Sequence, residues 1–265
     1  MQPFDEDITA YYARAEEAGR LDDWGRLEFV RTQELLRRHL PPPPAAVLDI
    51  GGGPGAYAVW LTGLGYEVSL LDPIELHVRQ AREAGVERAA LGDARALPFG
   101  DASADAVLLL GPLYHLPDAG DRRRALEEAG RVLRPGGVLA AAAISRFASV
   151  IDGLFKGYVA DPEFERIIED DLRDGRHENP MRHERWFTRA YFHLPDDLAT
   201  EVRAAGFELT TLAAVEGIGD RLPNIDGWLD EPGRREILLR TIARVETEPS
   251  LLGASPHVLA VGAKR

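Results

Sequence analysis

The chain has 265 residues, of which 45% are hydrophobic and 28% charged, as in an ordinary folded globular protein. Its formal net charge of −13 would repel a polyanion, which disfavours nucleic acid as a partner and favours a small-molecule substrate. The absence of cysteine excludes disulfides and thiolate metal sites, and the lack of a membrane-length apolar run or a signal peptide predicts a cytoplasmic protein without a membrane partner.

The first 44 residues predict an N-terminal helical lid. Two helical segments run through residues 5–39, and the second carries an apolar stripe that includes Leu27 and Leu36. The four prolines at 41–44 cannot continue a helix, so they predict a stiff connection into the first strand.

Residues 45–147 predict the core of the protein, because strands and helices alternate there with short connections. The predicted strands are 45–50, 66–72, 86–93, 104–111 and 138–144, and the predicted helices between them are 56–65, 74–85 and 121–133. Continuous Val, Leu and Ala runs are typical of strands covered on both faces, so the sequence predicts an α/β fold with a parallel sheet.

The remainder of the chain is less regular. Residues 148–193 are too long for a connection and predict a helical cap insertion, in which the acidic run 169–171 is interpreted as a solvated helix face. Residues 194–265 return to the core with strands at 207–216 and 256–265, interrupted by a second insertion at 218–256 that contains a helix near 231–247.

The stretch VLDIGGGPGAY, residues 47–57, is a buried strand that ends in a glycine loop of the kind that binds a nucleotide-containing ligand. It fits two patterns, one for a nicotinamide or flavin dinucleotide and one for S-adenosylmethionine. Asp49 distinguishes them: a carboxylate beneath a pyrophosphate has no evident use, whereas a ligand with a sulfonium and an α-amino group would benefit from it.

Two further acids follow the next two strands. Asp72 ends the second strand, where a carboxylate can accept hydrogen bonds from two ribose hydroxyls of either ligand. Asp93 ends the third and can accept from an adenine amino group. Ligands of open parallel sheets bind at this edge, so all three acids are expected at one site.

Five segments in order carry a resemblance to a known family: VLDIGGGPG, LLDP, GDARALPF, DAVLLLGPLYHL and RVLRPGGVL. With them the chain resembles class I S-adenosylmethionine-dependent methyltransferases, within these the small-molecule group related to ubiquinone-biosynthesis methyltransferases. The match covers roughly 45–147 and the closing strands 207–216 and 257–264.

The resemblance implies a Rossmann-like, seven-stranded, mostly parallel sheet with an antiparallel C-terminal strand, and S-adenosylmethionine as the cofactor. It also implies the residues that bind the cofactor. The methionine part is assigned to Asp49, Gly51, Gly53 and Gly55, the ribose to Asp72 with Pro73, the adenine to Gly92, Asp93 and Ala94, and the methyl side to Leu110 and Gly111.

The fourth strand ends in Gly111-Pro112-Leu113-Tyr114-His115, which would lie next to the methyl group. Gly111 stands where amine- and amide-methylating relatives carry a polar residue, and no metal-binding carboxylates are present, so metal-independent transfer is expected. Tyr114 could close over the substrate or the cofactor. His115 is a candidate base, with a packing or capping role as the alternative.

Two other regions supply candidates. In the cap, His177, His183, Trp186 and Tyr191 are candidate substrate-binding residues, although an aromatic cluster that packs the cap onto the sheet is an equal alternative. On the N-terminal helices, Arg31 is a candidate partner of the methionine carboxylate, with a surface arginine as the alternative.

The predicted function is therefore metal-independent, in-line methyl transfer from S-adenosylmethionine to an oxygen, nitrogen or carbon of a small-molecule acceptor. Two alternatives remain open, a nicotinamide-dependent (NAD) oxidoreductase and a non-catalytic protein that binds S-adenosylmethionine.

Overall fold

A computed structural model describes residues 5–13, 17–21, 23 and 25–265. The strands are β1 Ala46–Ile50, β2 Glu67–Asp72, β3 Ala89–Leu91, β4 Ala104–Leu109, β5 Leu133–Ile144, β6 Arg176–His177, β7 Ala190–Tyr191, β8 Phe207–Ala214 and β9 His257–Lys264. The helices are α1 Glu6–Tyr12, α2 Glu17–Arg20, α3 Arg26–His39, α4 Ala56–Gly63, α5 Glu75–Glu83, α6 Ala119–Val132, α7 Ala148–Lys156, α8 Pro162–Asp174, α9 Pro195–Ala204, α10 Ile225–Asp230, α11 Pro232–Ala243 and α12 Pro249–Leu252. Short 3-10 turns cover Pro112–His115, Tyr158–Ala160 and Gly217–Arg221.

Seven strands form one sheet in the order β3-β2-β1-β4-β5-β9-β8. Strands β1 to β5 pair in parallel, whereas β9 pairs antiparallel with both β5 and β8. The predicted Rossmann-like sheet with an antiparallel closing strand is confirmed. Because the parallel strands end at the same edge, the loops after β1, β2, β3 and β4 meet there, and the start of β9 joins them.

The sheet is covered on both faces, as the unbroken apolar runs indicated. On one face of β4, Val107 and Leu109 belong to the same buried cluster as Leu126 of α6. On the other face, Ala106 and Leu108 of the same strand cluster with the residues of α4. Successive side chains of a strand point to opposite faces, so a strand buried on both sides needs apolar residues at every position.

The N-terminal region contains three helices among its described residues where two were predicted. Residues 14–16, which the sequence assigned to the interior of the first helix, lie outside the described residues. On α3 the predicted apolar stripe is buried, and Leu35 and Leu36 join the apolar cluster on the face of the sheet that α4 covers. Tyr12 of α1 and Glu17 of α2 line the cleft at the carboxyl edge of the strands, whereas α3 packs on a face of the sheet.

The cap contains α7, α8 and the two-stranded sheet of β6 and β7, whereas the second insertion contains α10, α11 and α12. The interpretation of residues 169–171 as a solvated face is wrong for Asp171, which is fully buried. Asp171 follows Phe164 and Ile167 on the apolar stripe of α8, so its carboxylate points into the cap and hydrogen-bonds Ser149 and His177. The domain boundaries stay a prediction.

Within the described ranges, none of the helices has both the length and the apolar character needed to cross a membrane.

Candidate active site

The loop after β1 is built for glycine. Gly51 has φ +68°, and a Cβ on it would lie 2.6 Å from the ring of Pro112 in the loop after β4. A Cβ on Gly52 would lie 2.6 Å from the Asp49 carboxylate. Neither contact is sterically tolerable, so glycine lets the two loops approach each other and keeps the space around Asp49 open.

Asp49 is the most unusual group at this edge. Its side chain is 1% exposed, and neither carboxylate oxygen has a hydrogen-bond partner among the described residues. Burial, with a smaller contribution from the nearby Asp72, raises the pKa of Asp49 to about 7. An unpaired buried carboxylate is costly, so the site is prepared for a ligand that brings a positive charge or hydrogen-bond donors.

Asp72 fastens the end of β2 to the glycine loop. It accepts hydrogen bonds from the backbone N–H of Gly53 and of Ile74, each at 2.9 Å, and lies 3.1 Å from Nδ1 of His77. It lines a cleft of about 660 Å³. Other predicted residues on the walls of this cleft are Gly51, Gly53, Pro73, Gly92, Asp93, Ala94, Gly111, Tyr114 and His115.

Asp93 lies in the same cleft, and both of its oxygens bind Arg95. Burial alone would raise the pKa of Asp93, but the hydrogen bonds and charge of Arg95 outweigh it and lower the pKa. Its oxygens therefore remain ionised acceptors. Whether they also reach an adenine stays a prediction.

A second cleft of about 1420 Å³ adjoins the first. Gly111 and Tyr114 line both, and the Tyr114 hydroxyl lies 3.6 Å from where a Cβ on Gly111 would stand. Asp49, Gly55 and Leu110 line the second cleft only. Glu17, Gly51 and Gly53 also line both, so the end of β4 and the glycine loop together form the passage between a cleft beside Asp72 and a larger one that extends towards β5 and β9.

His115 is buried on the wall of the smaller cleft and bonded to α1 of the lid. Its Nε2 lies 2.6 Å from the hydroxyl of Tyr12 on α1, and its ring stacks on Phe187 at 5.6 Å. Burial lowers the pKa of His115 to about 3. A histidine with this pKa is a weak base at neutral pH, so the structure favours the packing alternative over the catalytic one.

A charged cluster in the larger cleft was not found from the sequence. Glu28, Glu216 and His257 each place one donor atom within 4.8 Å of the others. Nδ1 of His257 lies 2.6 Å from Glu216, and Arg20 binds Glu28 through two hydrogen bonds. The residues come from α2, α3, the segment after β8 and the start of β9, so no local sequence motif indicates the cluster.

The groups of this cluster shift one another's pKa. Burial alone would lower the pKa of His257, but Glu28 and Glu216 outweigh it and raise the pKa to about 9. Burial alone would raise the pKa of Glu28, but Arg20 and His257 lower it to about 2. Glu17 also binds Arg20, so three carboxylates face one imidazolium and one guanidinium in this ion-pair network.

A family model described as a methyltransferase domain matches residues 48–141, the segment from β1 into β5 that carries Asp49, Asp72, Asp93 and Gly111. The chain is a class I S-adenosylmethionine-dependent methyltransferase. Its cofactor is S-adenosylmethionine, and the glycine cradle with the unpaired Asp49 carboxylate fits the positively charged methionine end of that cofactor.

Individual relatives of this methyltransferase agree with the assignment. A ubiquinone/menaquinone biosynthesis C-methyltransferase from Acidiphilium cryptum is 28% identical over 76% of this chain and 83% of its own. An uncharacterized methyltransferase from Mycobacterium bovis is 40% identical, but over only 38% of this chain and 40% of its own. The crystal structure of a methyltransferase from Thermotoga maritima shares the fold with a TM-score of 0.62 at 23% identity, covering 97% of this chain and all of that one.

The structure does not place Arg31 on the wall of either cleft. Arg31 is fully buried on α3, where it binds Glu34, Glu246 and the backbone carbonyl of Val215. Its guanidinium is thus used to tie α3 to the strands of the methyltransferase core. The arginine on the wall of the larger cleft is Arg20.

None of the four cap residues predicted to bind substrate lines either cleft. His177 stacks on Phe192 at 4.5 Å, and Trp186 packs in the cap core with His183 stacked on it at 4.2 Å. Tyr191 lies 3.7 Å beneath the guanidinium of Arg122. These contacts support the packing alternative, and a substrate-binding role for the four residues stays a prediction.

Phe187 is the cap residue that sequence analysis missed. Its ring contacts Tyr11 at 5.5 Å and Tyr114 at 6.3 Å, in addition to the stack on His115. It therefore joins the cap and the lid over the passage between the clefts. The only local signal was an aromatic residue within the cap segment, which did not distinguish it from Trp186.

Proposed function

We propose that this methyltransferase moves the methyl group of S-adenosylmethionine to a small-molecule acceptor, in line and without a metal. The observation that carries the proposal is the passage at Gly111 and Tyr114, which joins a cleft beside Asp72 to a larger cleft beside Asp49. A ligand can lie across this passage with a second molecule facing it. The cofactor brings the methyl group already activated, so the protein has to align the two and exclude water.

The residues that would contact the cofactor lie at the ends of β1, β2 and β3. Asp49 would pair with the α-amino group, since its carboxylate lacks a partner and is buried. Asp72 would accept from the ribose and Asp93 from the adenine amino group, because both line the smaller cleft. Backbone N–H groups of the glycine loop would contact the methionine part.

Two observations support a small-molecule acceptor. The net charge of −13 opposes binding of a polyanion. The passage also lies beneath both lid and cap, with Tyr12, His115 and Phe187 in contact over it, which favours a compact molecule over an extended polymer. The Acidiphilium cryptum relative is named a C-methyltransferase, so a carbon acceptor belongs among the compounds tested along with oxygen and nitrogen acceptors.

Calorimetry with S-adenosylhomocysteine and with NADH tests the cofactor. We expect the first to bind and the second not to bind; binding of NADH alone would support the oxidoreductase alternative.

Transfer is tested with methyl-labelled S-adenosylmethionine and a cell extract separated into small molecules, proteins and nucleic acids. We expect label in the small-molecule fraction, with or without EDTA. Label in a polymer fraction would refute the acceptor class, and loss of transfer in EDTA would refute metal independence. Cofactor binding with no label in any fraction would support the non-catalytic alternative.

A further inference from the structure

His77 is a buried polar residue in the first turn of α5, beside Asp72. It precedes Val78 and lies one turn before Ala81, and both of these pack in the apolar cluster on the sheet. The side chain of His77 is 3% exposed and lines the smaller cleft. An aliphatic side chain would pack equally well at this position, so the two ring nitrogens of His77 need a separate explanation.

The contact with Asp72 determines which nitrogen of His77 carries a proton. Nδ1 lies 3.1 Å from Oδ1 of Asp72. A carboxylate only accepts hydrogen bonds, so Nδ1–H is the donor, and in the neutral imidazole Nε2 is then an acceptor. Nε2 is buried, and none of the described residues hydrogen-bonds it. A buried acceptor without a partner is costly, so we expect a ligand to bring the donor.

The hydrogen bonds of Asp72 leave little room for both hydroxyls of a ribose. Oδ1 accepts from the backbone N–H of Ile74 as well as from His77, and Oδ2 accepts from the backbone N–H of Gly53. A carboxylate offers about four lone-pair positions, so these bonds leave about one, on Oδ2. Asp72 can therefore accept from one ribose hydroxyl, and the second hydroxyl needs another acceptor.

We propose that His77 is a further cofactor-binding residue, whose Nε2 accepts a hydrogen bond from one ribose hydroxyl of S-adenosylmethionine while Oδ2 of Asp72 accepts from the other. The two ribose hydroxyls are on adjacent carbon atoms, and the two acceptors are on side chains already bonded to each other. Asp72 fixes the imidazole on one side, and the ring of Tyr12 lies edge-on to it at 5.0 Å. The inference rests on the proposed placement of the ribose beside Asp72.

Calorimetry with S-adenosylhomocysteine and with its 2′-deoxy and 3′-deoxy analogues tests this division. Wild type should bind each analogue about 10-fold more weakly than S-adenosylhomocysteine, because each analogue leaves one buried acceptor without its donor. Wild type that is indifferent to the loss of either hydroxyl would overturn the inference.

His77→Asn is the deciding variant, because its amide can still donate to Asp72 but nothing replaces Nε2. It should bind S-adenosylhomocysteine about 10-fold more weakly than wild type does. It should bind one of the two analogues as tightly as S-adenosylhomocysteine, whereas the other analogue should still bind about 10-fold more weakly. Two full penalties in His77→Asn would overturn the inference. The comparison is made between ligands of one variant, so a loss of stability does not obscure it.

Two control variants accompany it. In His77→Gln the amide oxygen can take the place of Nε2, so both analogues should stay disfavoured and the affinity for S-adenosylhomocysteine should remain within about threefold of wild type. A His77→Gln that behaves like His77→Asn would contradict the acceptor role of Nε2. His39→Asn, at the end of α3, should bind all three ligands as wild type does.

Asp72→Ala separates this inference from the proposed function. It should tolerate the analogue that His77→Asn disfavours, because the two side chains accept from different hydroxyls. Unchanged affinity of Asp72→Ala for S-adenosylhomocysteine would remove the ribose from Asp72 and with it the proposed cofactor placement. The expected loss in Asp72→Ala together with two full penalties in His77→Asn would remove only the role of His77.

Discussion

Replacing Asp49 with Asn should stabilise the cofactor-free protein. The pKa of Asp49 is about 7 in the folded chain, against an ordinary value of 3.8, because the carboxylate is buried without a partner. Above about pH 7 the folded protein must carry this charge, and a difference of about three pKa units corresponds to about 4 kcal/mol. The Asn amide also lacks partners there, so we expect a net gain of about 2–4 kcal/mol at pH 8.

Asp49 makes the stability of the folded protein fall as the pH rises. A carboxyl group whose folded pKa is raised lowers stability as the pH rises from about 4 to about 7, because only the unfolded chain ionises freely in that window. The free energy of unfolding, measured with urea on wild type and Asp49→Asn, should therefore coincide near pH 4 and diverge towards pH 8. Asp101→Asn is the control, because the Asp101 side chain is 80% exposed and its ion pair with Arg131 contributes little to stability.

The ligand affinity of Asp49→Asn should fall although its stability rises. Asp49→Asn should bind S-adenosylhomocysteine about 10- to 100-fold more weakly, because the proposed partner of the α-amino group has lost its charge. A variant that is less stable than wild type at pH 8, or equally stable at both ends of the pH range, would refute the argument from burial. Unchanged affinity would refute the assignment of Asp49 to the cofactor.

Three further results are expected. Asp72→Ala should weaken S-adenosylhomocysteine binding by about 1–3 kcal/mol in calorimetry, and unchanged affinity would refute the ribose role. Arg31→Met should lower the free energy of unfolding by about 3 kcal/mol with cofactor affinity unchanged, because it leaves Glu246 in a buried position with one partner fewer; weakened cofactor binding at normal stability would restore the original assignment. The raised pKa of His257 should contribute about 3 kcal/mol below pH 6.5 that is lost as the pH rises through about 9, and His257→Gln should flatten that loss in urea unfolding.

The fold was predictable because its determinants are local. Strand β4 is apolar at every position from Ala106 to Leu109. The loop after β1 needs glycine because Gly51 and Pro112 bring two loops close together. Asp49, at the end of the first strand, could likewise be singled out from its position under that loop. Its lack of partners and its raised pKa could not, since they depend on what the other strands place around it.

The positions of the charged and aromatic side chains could not be predicted from the sequence in the same way. Arg31 and Tyr191 were chosen by residue type and predicted segment, whereas in the folded chain partners distant in sequence, Glu246 and Arg122, lie against them. Phe187 looked no different from its neighbour Trp186, yet one faces the passage and the other the cap core. Residue type does not report which way a side chain in an irregular segment points.

The amino-acid sequence by itself determined the α/β sheet, the glycine cradle and the acids at the ends of β1, β2 and β3, because hydrophobic runs and turn residues act over a few neighbouring positions. Only the tertiary structure decided which histidine is protonated at neutral pH. It brought His257 to Glu28 and Glu216, from segments about 40 to 230 residues away, and bonded His115 to Tyr12 on the wall of the smaller cleft. The pKa of a side chain is set by burial and nearby charges, and these exist only once the chain has folded.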